Sequence, residues 1–357
     1  MNMPFTPQSL TIRILDREDP EELTQIDGFV DDHSGGLAFH RPAWLLSTSK
    51  ACGHEWRYML AKDREGKLQA ILPFTLIHSA LFGRALVSSG FAVGGGILSR
   101  SEQATEILAD AIWKFAEEYS FPTVELRGGP MPCGEWQNVD GVYAGFVADL
   151  AHDDESQLLA IPRKQRAEIR KGLKSDLEVR VGVSEEERAD HYRVYAESVR
   201  NLGTPVFPKA LFDEVLDAFG SDADILTILN GGKPVASVLS LYHGGTVMPY
   251  WGGGSYDARR LRANDVMYYE LMKHARRRGC KRFDFGRSKV GTGAYAFKKN
   301  WGFNPEPLSY TIRTEDGETA RDINPMSPKY RLQVALWKRL PLSLANLLGP
   351  VIAKGLG

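Results

Sequence analysis

Val247-Met-Pro-Tyr-Trp-Gly-Gly-Gly-Ser-Tyr-Asp-Ala-Arg-Arg-Leu-Arg-Ala-Asn264 runs from a strand-like segment, through three glycines, into an arginine-rich turn. A helix-patterned segment follows to about Arg278, then a short buried-looking strand, Arg282-Phe-Asp-Phe-Gly286, and Tyr295-Ala-Phe-Lys-Lys-Asn-Trp-Gly302. Strand, glycine loop, helix, strand leaves free N–H groups at a helix start, where phosphate and other anions are attracted. The expected class is α/β (α+β), with mixed, largely antiparallel sheets flanked by helices.

With 357 residues the chain exceeds one average core, so two domains of about 150 to 180 residues each are expected. Hydrophobic residues at 43% and charged residues at 25% match an ordinary globular protein, and a net charge of −1 excludes bulk nucleic-acid binding by a generally basic surface. Any anion site must come from local clustering. Cys52, Cys133 and Cys280 lie far apart and are odd in number; they read as small buried hydrophobes, with no disulfide framework and no metal site expected. The opening MNMPFTPQSLTIRILDRED carries acids early and has no apolar core, so no secretory leader is expected. Nor does any run of about 18 apolar residues suggest a spanning helix.

The two halves repeat one order. In the first, a predicted strand (9–15) and helix (20–30) precede a hairpin (56–62, 68–77) turned by Asp63-Arg-Glu-Gly66. Then come a strand (85–91), the loop Gly94-Gly-Gly96, a helix (101–119), a strand (123–127) and a closing strand (146–150). In the second, a helix opens near Pro162, a strand (177–183) meets a helix capped by Ser184-Glu-Glu-Glu187, and a helix (208–219) follows. Strands at 225–229, 235–242 and from Val247 form a meander, and Gly252-Gly-Gly254 then precedes helix and strand as Gly94-Gly-Gly96 does. The order reads as a structural duplication.

Three segments carry a family likeness: Ile161-Pro-Arg-Lys-Gln-Arg-Ala-Glu-Ile-Arg-Lys-Gly-Leu-Lys174, the stretch from Tyr250 to Gly286, and Tyr295-Ala-Phe-Lys-Lys-Asn-Trp-Gly302. In order and spacing they resemble the second domain of Fem-type aminoacyltransferases, with its basic opening helix and its Phe-Lys motif. The likeness extends to FemAB-like acyltransferases of bacterial exopolysaccharide and PEP-CTERM protein-sorting systems. It covers most of residues 160–310, the first half matching in layout. It implies two tandem GNAT-like domains, 1–155 and a catalytic 156–315, and a tail at 316–357. The implied activity is transfer of an acyl or aminoacyl group from an activated donor to an amine of a cell-envelope or exopolysaccharide precursor. CoA-binding GNAT loops read Arg/Gln-x-x-Gly-x-Gly/Ala, whereas Arg259-Arg-Leu-Arg-Ala-Asn264 stands here. With arginine in place of the first glycine, acyl-CoA, another acyl thioester, acyl carrier protein and aminoacyl-tRNA stay open as donors; no tightly bound cofactor is expected.

Acyl transfer to an amine needs an unprotonated nucleophile and a holder for the oxyanion. The resemblance puts Lys298 near the reacting carbonyl; the alternative is a surface lysine beside Lys299. Asp284 faces away from Phe283 and Phe285 by strand alternation, as a general base, an orienter of the amine, or the partner of Arg282 or Arg287. Arg259, Arg260 and Arg262, with Gly253 and Asn264, are the donor-side candidates, since guanidinium forks suit phosphate. They are otherwise a solvated loop, and Asn264 a helix N-cap. Tyr250, Trp251, Tyr295, Phe297 and Arg287 are candidate acceptor contacts, several of them plain core. Arg163, Arg166, Arg170 and Lys174 share one side of a helix by i, i+3, i+4 spacing. That side is either solvated or a contact for tRNA, a nucleotide-linked sugar or lipid phosphate.

Residues 330–357 are apolar, flanked by cations and interrupted by Pro341 and Pro350. They either lie at membrane headgroups, anchored by Trp337 and lysines, or dock on the N-terminal domain or a second subunit. The expectation is a cytoplasmic N-acyltransferase, peripheral to the inner membrane, acting on a small-molecule or lipid- or nucleotide-linked amine. The competing expectation is a non-catalytic, membrane-associated scaffold of a polysaccharide or protein-export system.

Overall fold

The computed structural model of the protein describes residues 9–316 and 331–357. The start of the chain and the segment 317–330, with the first part of the predicted tail, lie outside the described residues. The described residues divide into two units, one within 9–139 with 309–316 and Gly357, the other within 140–308 with 331–356.

The first unit holds β1 (Thr11–Leu15), α1 (Pro20–Asp32), α2 (Pro42–Cys52), β2 (Glu55–Lys62), β3 (Leu68–Ser79), β4 (Gly83–Ser88), β5 (Leu98–Ser99), α3 (Glu102–Glu118) and β6 (Thr123–Arg127). Strands β1 to β4 pair antiparallel in sequence order, and α3 then carries the chain to β6, which runs parallel to β4 at Leu86–Val124 and Val87–Glu125. Ser101 caps α3 by accepting the Ala104 N–H, and Ala104, Leu108, Ile112 and Phe115 face the core beneath it. The predicted hairpin forms, its turn held by the Asp63 carboxylate accepting the N–H groups of Glu65 and Lys67. The strand predicted to reach residue 91 stops at Ser88 because Ser89 and Phe91 take positive φ (46° and 66°). Helix α2 was not read from the sequence. Cys52 and Cys280 are buried as expected, whereas Cys133 is exposed.

β7 (Gln137–Gly145) crosses the division. The second unit continues with β8 (Val147–Asp149), α4 (Asp154–Ala160), α5 (Arg163–Gly172), β9 (Leu177–Gly182), α6 (Glu185–Leu202), α7 (Lys209–Phe219), β10 (Ala223–Asn230), β11 (Lys233–His243), β12 (Thr246–Gly254), α8 (Tyr256–Leu261), α9 (Ala263–Arg277), β13 (Arg282–Asp284), β14 (Ser288–Lys289), α10 (Gly293–Asn300), β15 (Glu306–Thr314), α11 (Arg331–Trp337) and α12 (Leu342–Ala353). Its sheet has the order β8-β13-β12-β11-β10-β9. The predicted meander is there, and the Ser184–Glu187 capping box opens α6. As in the first unit, a helical crossover joins two strands that run parallel over two residue pairs, here Thr246–Arg282 and Val247–Phe283. Two mixed sheets flanked by helices, each with this crossover, are the expected duplication.

Three expectations are corrected. The first boundary falls after residue 139 and not 155, because the strand expected to close the first half, now β8, pairs with β13 (Ala148 beside Phe283). Residues 310–314 of β15 return to the first unit and pair with β6. The tail packs within the second unit over residues 332–356, where Gly349 meets Val206 and Gly203 at the end of α6 meets Val334, while Gly357 falls in the first unit, its carbonyl accepting from the Arg127 guanidinium (2.7 Å). Trp337 is no headgroup anchor, since its indole nitrogen is buried. Pro341 stands at the start of α12, and Pro350 lies inside it without ending it.

The expected glycine loop is strand. Gly252, Gly253 and Gly254 pair with Val238, Ser237 and Ala236 on β11. They are glycines because α6 and α9 approach the sheet there. A Cβ on Gly253 would stand 2.5 Å from the Ser198 Cβ and closer to its hydroxyl, whereas one on Gly28 in α1 would meet nothing. Gly253→Ala is expected to lower unfolding free energy by about 1–3 kcal/mol through overpacking. Gly28→Ala should raise it by up to about 1 kcal/mol through helix propensity. Urea titration of both variants checks the contrast.

Candidate functional site

Beyond Val247 and Phe283 the parallel strands part. β12 continues along β11 to Gly254, while the chain after Phe283 follows the strand on its other side. Asp284 pairs with Val147, the Phe285 N–H donates to the Phe146 carbonyl (2.7 Å), and Ser288 pairs with Ala144. β12 also carries a bulge: Leu239 faces Trp251 and Ser240 faces Pro249, so Tyr250 is the extra residue. Pro249, which has no N–H to give a ladder, was the signal for this in the sequence.

Helix α10, capped by the Thr292 hydroxyl accepting the Tyr295 N–H (3.3 Å), brings Lys298 to the end of β13. The Lys298 Nζ donates to the carbonyls of Gly286 and Arg287, both at 3.0 Å, and lies 5.5 and 5.7 Å from the ring centres of Phe146 and Phe285. An ammonium has three donors, so among the described residues one remains uncommitted. Burial pulls its pKa down to about 8, with Asp284 opposing and Arg287 adding to the fall. Asp284 is pushed up by burial, against the Gly286 N–H bond and Lys298. Its Oδ1 accepts that N–H at 2.8 Å, closing the turn whose carbonyls hold Lys298. The expected pairing of Asp284 with Arg282 or Arg287 gives way to this turn, and Arg287 lies over the Tyr143 ring at 4.5 Å.

The arginine turn is in fact helical. Arg259 and Arg260 are exposed on α8, and Arg262 joins α8 to α9 in a left-handed conformation (φ 58°) while pairing with Glu168 of α5 at 2.7 Å. Arg262 also occupies the cap position of α9, so Asn264 is not the N-cap; its Oδ1 is buried without a partner, against Gly254. Helix α5 docks on this junction through Gln165 Nε2 donating to Asp265 (2.6 Å) and through Gly172 against Val266. Arg163 and Arg170 face solvent, Arg166 donates to the Leu159 carbonyl (3.4 Å), and Lys174 lies past the end of the helix. The predicted four-residue basic side is therefore interrupted.

Trp251, expected as an acceptor wall, is only 4% exposed and packs edge-on to Phe212 (4.9 Å), which makes it core. Tyr250 is half-buried against the Trp251 ring (4.8 Å), and Tyr295 half-buried against Phe146 (5.4 Å). Phe297 joins Tyr268, Phe285 and Trp301 in a ring cluster beside Lys298. Tyr268, expected with its neighbouring tyrosines to line or support a pocket between strand and helix, packs in this cluster. Burial raises its hydroxyl to about 12, and that oxygen lies 3.1 Å from where a Cβ on Gly252 would be. The corresponding place in the first unit is stapled shut. There Gly96 N–H donates to the Arg127 carbonyl (2.9 Å), and the Arg127 guanidinium bonds Glu125 and the Ala92 carbonyl.

Residues 163–299 match the family model of the GNAT acetyltransferase domain. The chain is similar to a lipid II:glycine glycyltransferase of Staphylococcus haemolyticus (strain JCSC1435), 33% identical over 86 residues; that match spans 22% of this chain and 20% of the relative. Among solved structures it is similar to FemX (TM-score 0.64, 15% identity, 83% of this chain and 96% of that one). It is also similar to a tandem GNAT protein from the clavulanic acid biosynthesis pathway (TM-score 0.56, 11% identity, 87% and 100%). At these identities the structural matches speak for the fold.

The lowered pKa of Lys298 has a sign that stability measurements read. Between pH 8 and the ordinary lysine value of 10.5, the unfolded chain holds a proton that the folded one has lost, so this group's contribution to stability rises with pH across that window. The difference in unfolding free energy between the native protein and Lys298→Met should therefore shift in favour of the native protein as pH rises from 8 to 10. A flat difference would show that Lys298 titrates as a solvated lysine.

Proposed function

We propose, from the premise that this chain is a FemAB-like member of the GNAT superfamily, that it is an acyltransferase moving an acyl or aminoacyl group onto an amine. The acceptor is a cell-envelope or exopolysaccharide precursor, lipid-linked and met at the inner face of the cytoplasmic membrane. One observation carries the chemistry: a mostly buried ammonium, with one N–H uncommitted, sits where two parallel strands part. The amine attacks the donor carbonyl, the third N–H of Lys298 holds the oxyanion, and the nitrogen's proton passes to Asp284 or to water. Collapse of the intermediate expels the donor's thiolate or ribose oxygen, which takes up a proton. No covalent enzyme intermediate is required. Support for a lipid-linked acceptor comes from the glycyltransferase relative, whose name specifies lipid II and glycine. The donor's phosphates would meet Arg259 and Arg260, which are exposed beside the start of α9. An acyl thioester, a carrier protein and an aminoacyl-tRNA all satisfy that requirement.

The non-catalytic reading draws on the rings of Tyr268, Phe285, Phe297 and Trp301, which pack together beside Lys298. Thermal-shift screening against acyl-CoA, acylated carrier protein and aminoacyl-tRNA separates the two. A stabilising shift with one donor supports transfer, and none with any donor supports the scaffold. Lys298→Ala should cut turnover by about 10²- to 10³-fold, the loss usual for one oxyanion donor, with little change in melting temperature. The cationic form acts, so the alkaline limb of kcat/KM should fall through about pH 8, and Lys298→Arg should carry that limb upward. Unchanged turnover in Lys298→Ala removes the assignment.

A further inference from the structure

Helix α12 is built inside out. Its protein-facing side is small: Ala345 and Ala353 are 2% and 0% exposed, and Gly349 fits against the Val206 backbone. Its outer side is large and apolar: Leu344, Leu347, Leu348 and Val351, spaced i, i+3, i+4, i+7, with Leu347 70% and Val351 75% exposed. Leu332 and Leu336 of α11, one turn apart, are exposed too, and Leu202 stands bare at the end of α6, where Gly203 meets Val334. An ordinary surface helix turns its leucines inward and its polar residues out. Here the burial is reversed, which puts the outer row of α12 and the exposed leucines of α11 in water unless something covers them.

The charge around this surface selects the cover. Residues 331–357 contain Arg331, Lys338, Arg339 and Lys354 and no aspartate or glutamate, in a chain whose net charge is −1. Lys338 and Arg339 stand between α11 and α12, and Lys354 follows α12. A second copy joined through a twofold contact would bring the same cations against one another. A bilayer carrying anionic headgroups meets both features at once, taking the leucines into the acyl boundary and the exposed Lys338 and Arg339 into the phosphate layer. Among the described residues no helix is long and apolar enough to cross a membrane, so this surface would lie on the bilayer.

We infer that the outer face of α11 and α12 is an interfacial membrane-binding surface for anionic phospholipid. The inference deepens the reading of a lipid-linked acceptor given above and rests on it for its purpose, but its evidence is the packing and charge of this tail alone.

The test is co-sedimentation of the full chain with vesicles of phosphatidylcholine, with and without phosphatidylglycerol. It needs neither donor nor acceptor, so its failure is distinct from failure of the transfer assay. Binding to the anionic vesicles should exceed binding to the neutral ones by at least roughly tenfold at low salt and should weaken with added salt. The double variant Leu347→Ser, Val351→Ser, altered only at exposed positions, should keep its melting temperature and lose about tenfold in vesicle affinity. Lys338→Gln with Arg339→Gln should lose the preference for anionic lipid. Absence of binding to either vesicle overturns the inference, as does undiminished binding by the folded leucine–valine variant. A concentration-dependent dimer that this variant dissociates, without vesicle binding, would assign the face to a second copy.

Discussion

Two parallel strands go on pairing unless one of them finds other partners, and the second unit is organised around such a change of partner. After Val247 and Phe283 the ladder between β12 and β13 stops, because residues 284–288 bond to 144–147 instead. The seat of Lys298 follows from this. The turn at Gly286 presents its carbonyls away from the sheet, those carbonyls receive Lys298, and the glycine end of β12 is left to meet α6 and α9. Were the ladder continuous, the Gly286 and Arg287 carbonyls would be spent on β12 and the ammonium would have no seat. The first unit shows the alternative, since the loop after β4 bonds back to the end of β6 and closes the same gap.

Seating a lysine there has an electrostatic cost that the surroundings only partly offset. Two carbonyl dipoles and two aromatic faces favour the cation, and Asp284 adds a through-space attraction; burial and Arg287 work against it. The balance leaves a group that is still mostly charged at neutral pH but readily discharged above it. An ammonium so placed gains more from a nearby developing oxyanion than a fully hydrated one, because less water competes for it. Asp284 acts on the seat of Lys298 through geometry as well: its bond to the Gly286 N–H closes the turn whose carbonyls hold Nζ.

Much of this was legible in residue order. Alternation and turn residues gave the meander, the Asp63 hairpin and the Ser184 cap, because those are settled locally. The order strand, helix, strand gave the crossover, and the family likeness of Tyr295 to Gly302 singled out Lys298, which the structure seats at the end of β13. What sequence missed was decided at a distance. Whether Gly252 to Gly254 are loop or strand depends on how closely Ser198 and Tyr268 approach, and neither adjoins them in the chain. Trp251 reads equally as wall or core until Phe212, on helix α7, claims its ring. The boundary was misplaced for the same reason: β8 looks like the end of one half until its partner, more than a hundred residues later, is known.

The arginines show how a local irregularity bears on donor choice. Glycine is the residue for which a left-handed backbone is free, yet Arg262 adopts it (φ 58°) at the junction of α8 and α9. A non-glycine residue there costs on the order of 1 kcal/mol or more, and the Arg262–Glu168 pair, with α5 packed over it, holds the conformation. An arginine tied to a carboxylate is a poor grip for a pyrophosphate, since binding would have to break the pair or bring a second anion beside it. Arg259 and Arg260, by contrast, are exposed on α8. Contacts placed outside a loop, on an exposed helix, suit a large polyanionic donor better than a small one drawn into a cradle. Were Arg259 and Arg260 the donor's phosphate contacts, as proposed above, a macromolecular donor whose phosphates track along a surface would suit them better than a free thioester enclosed by backbone N–H groups.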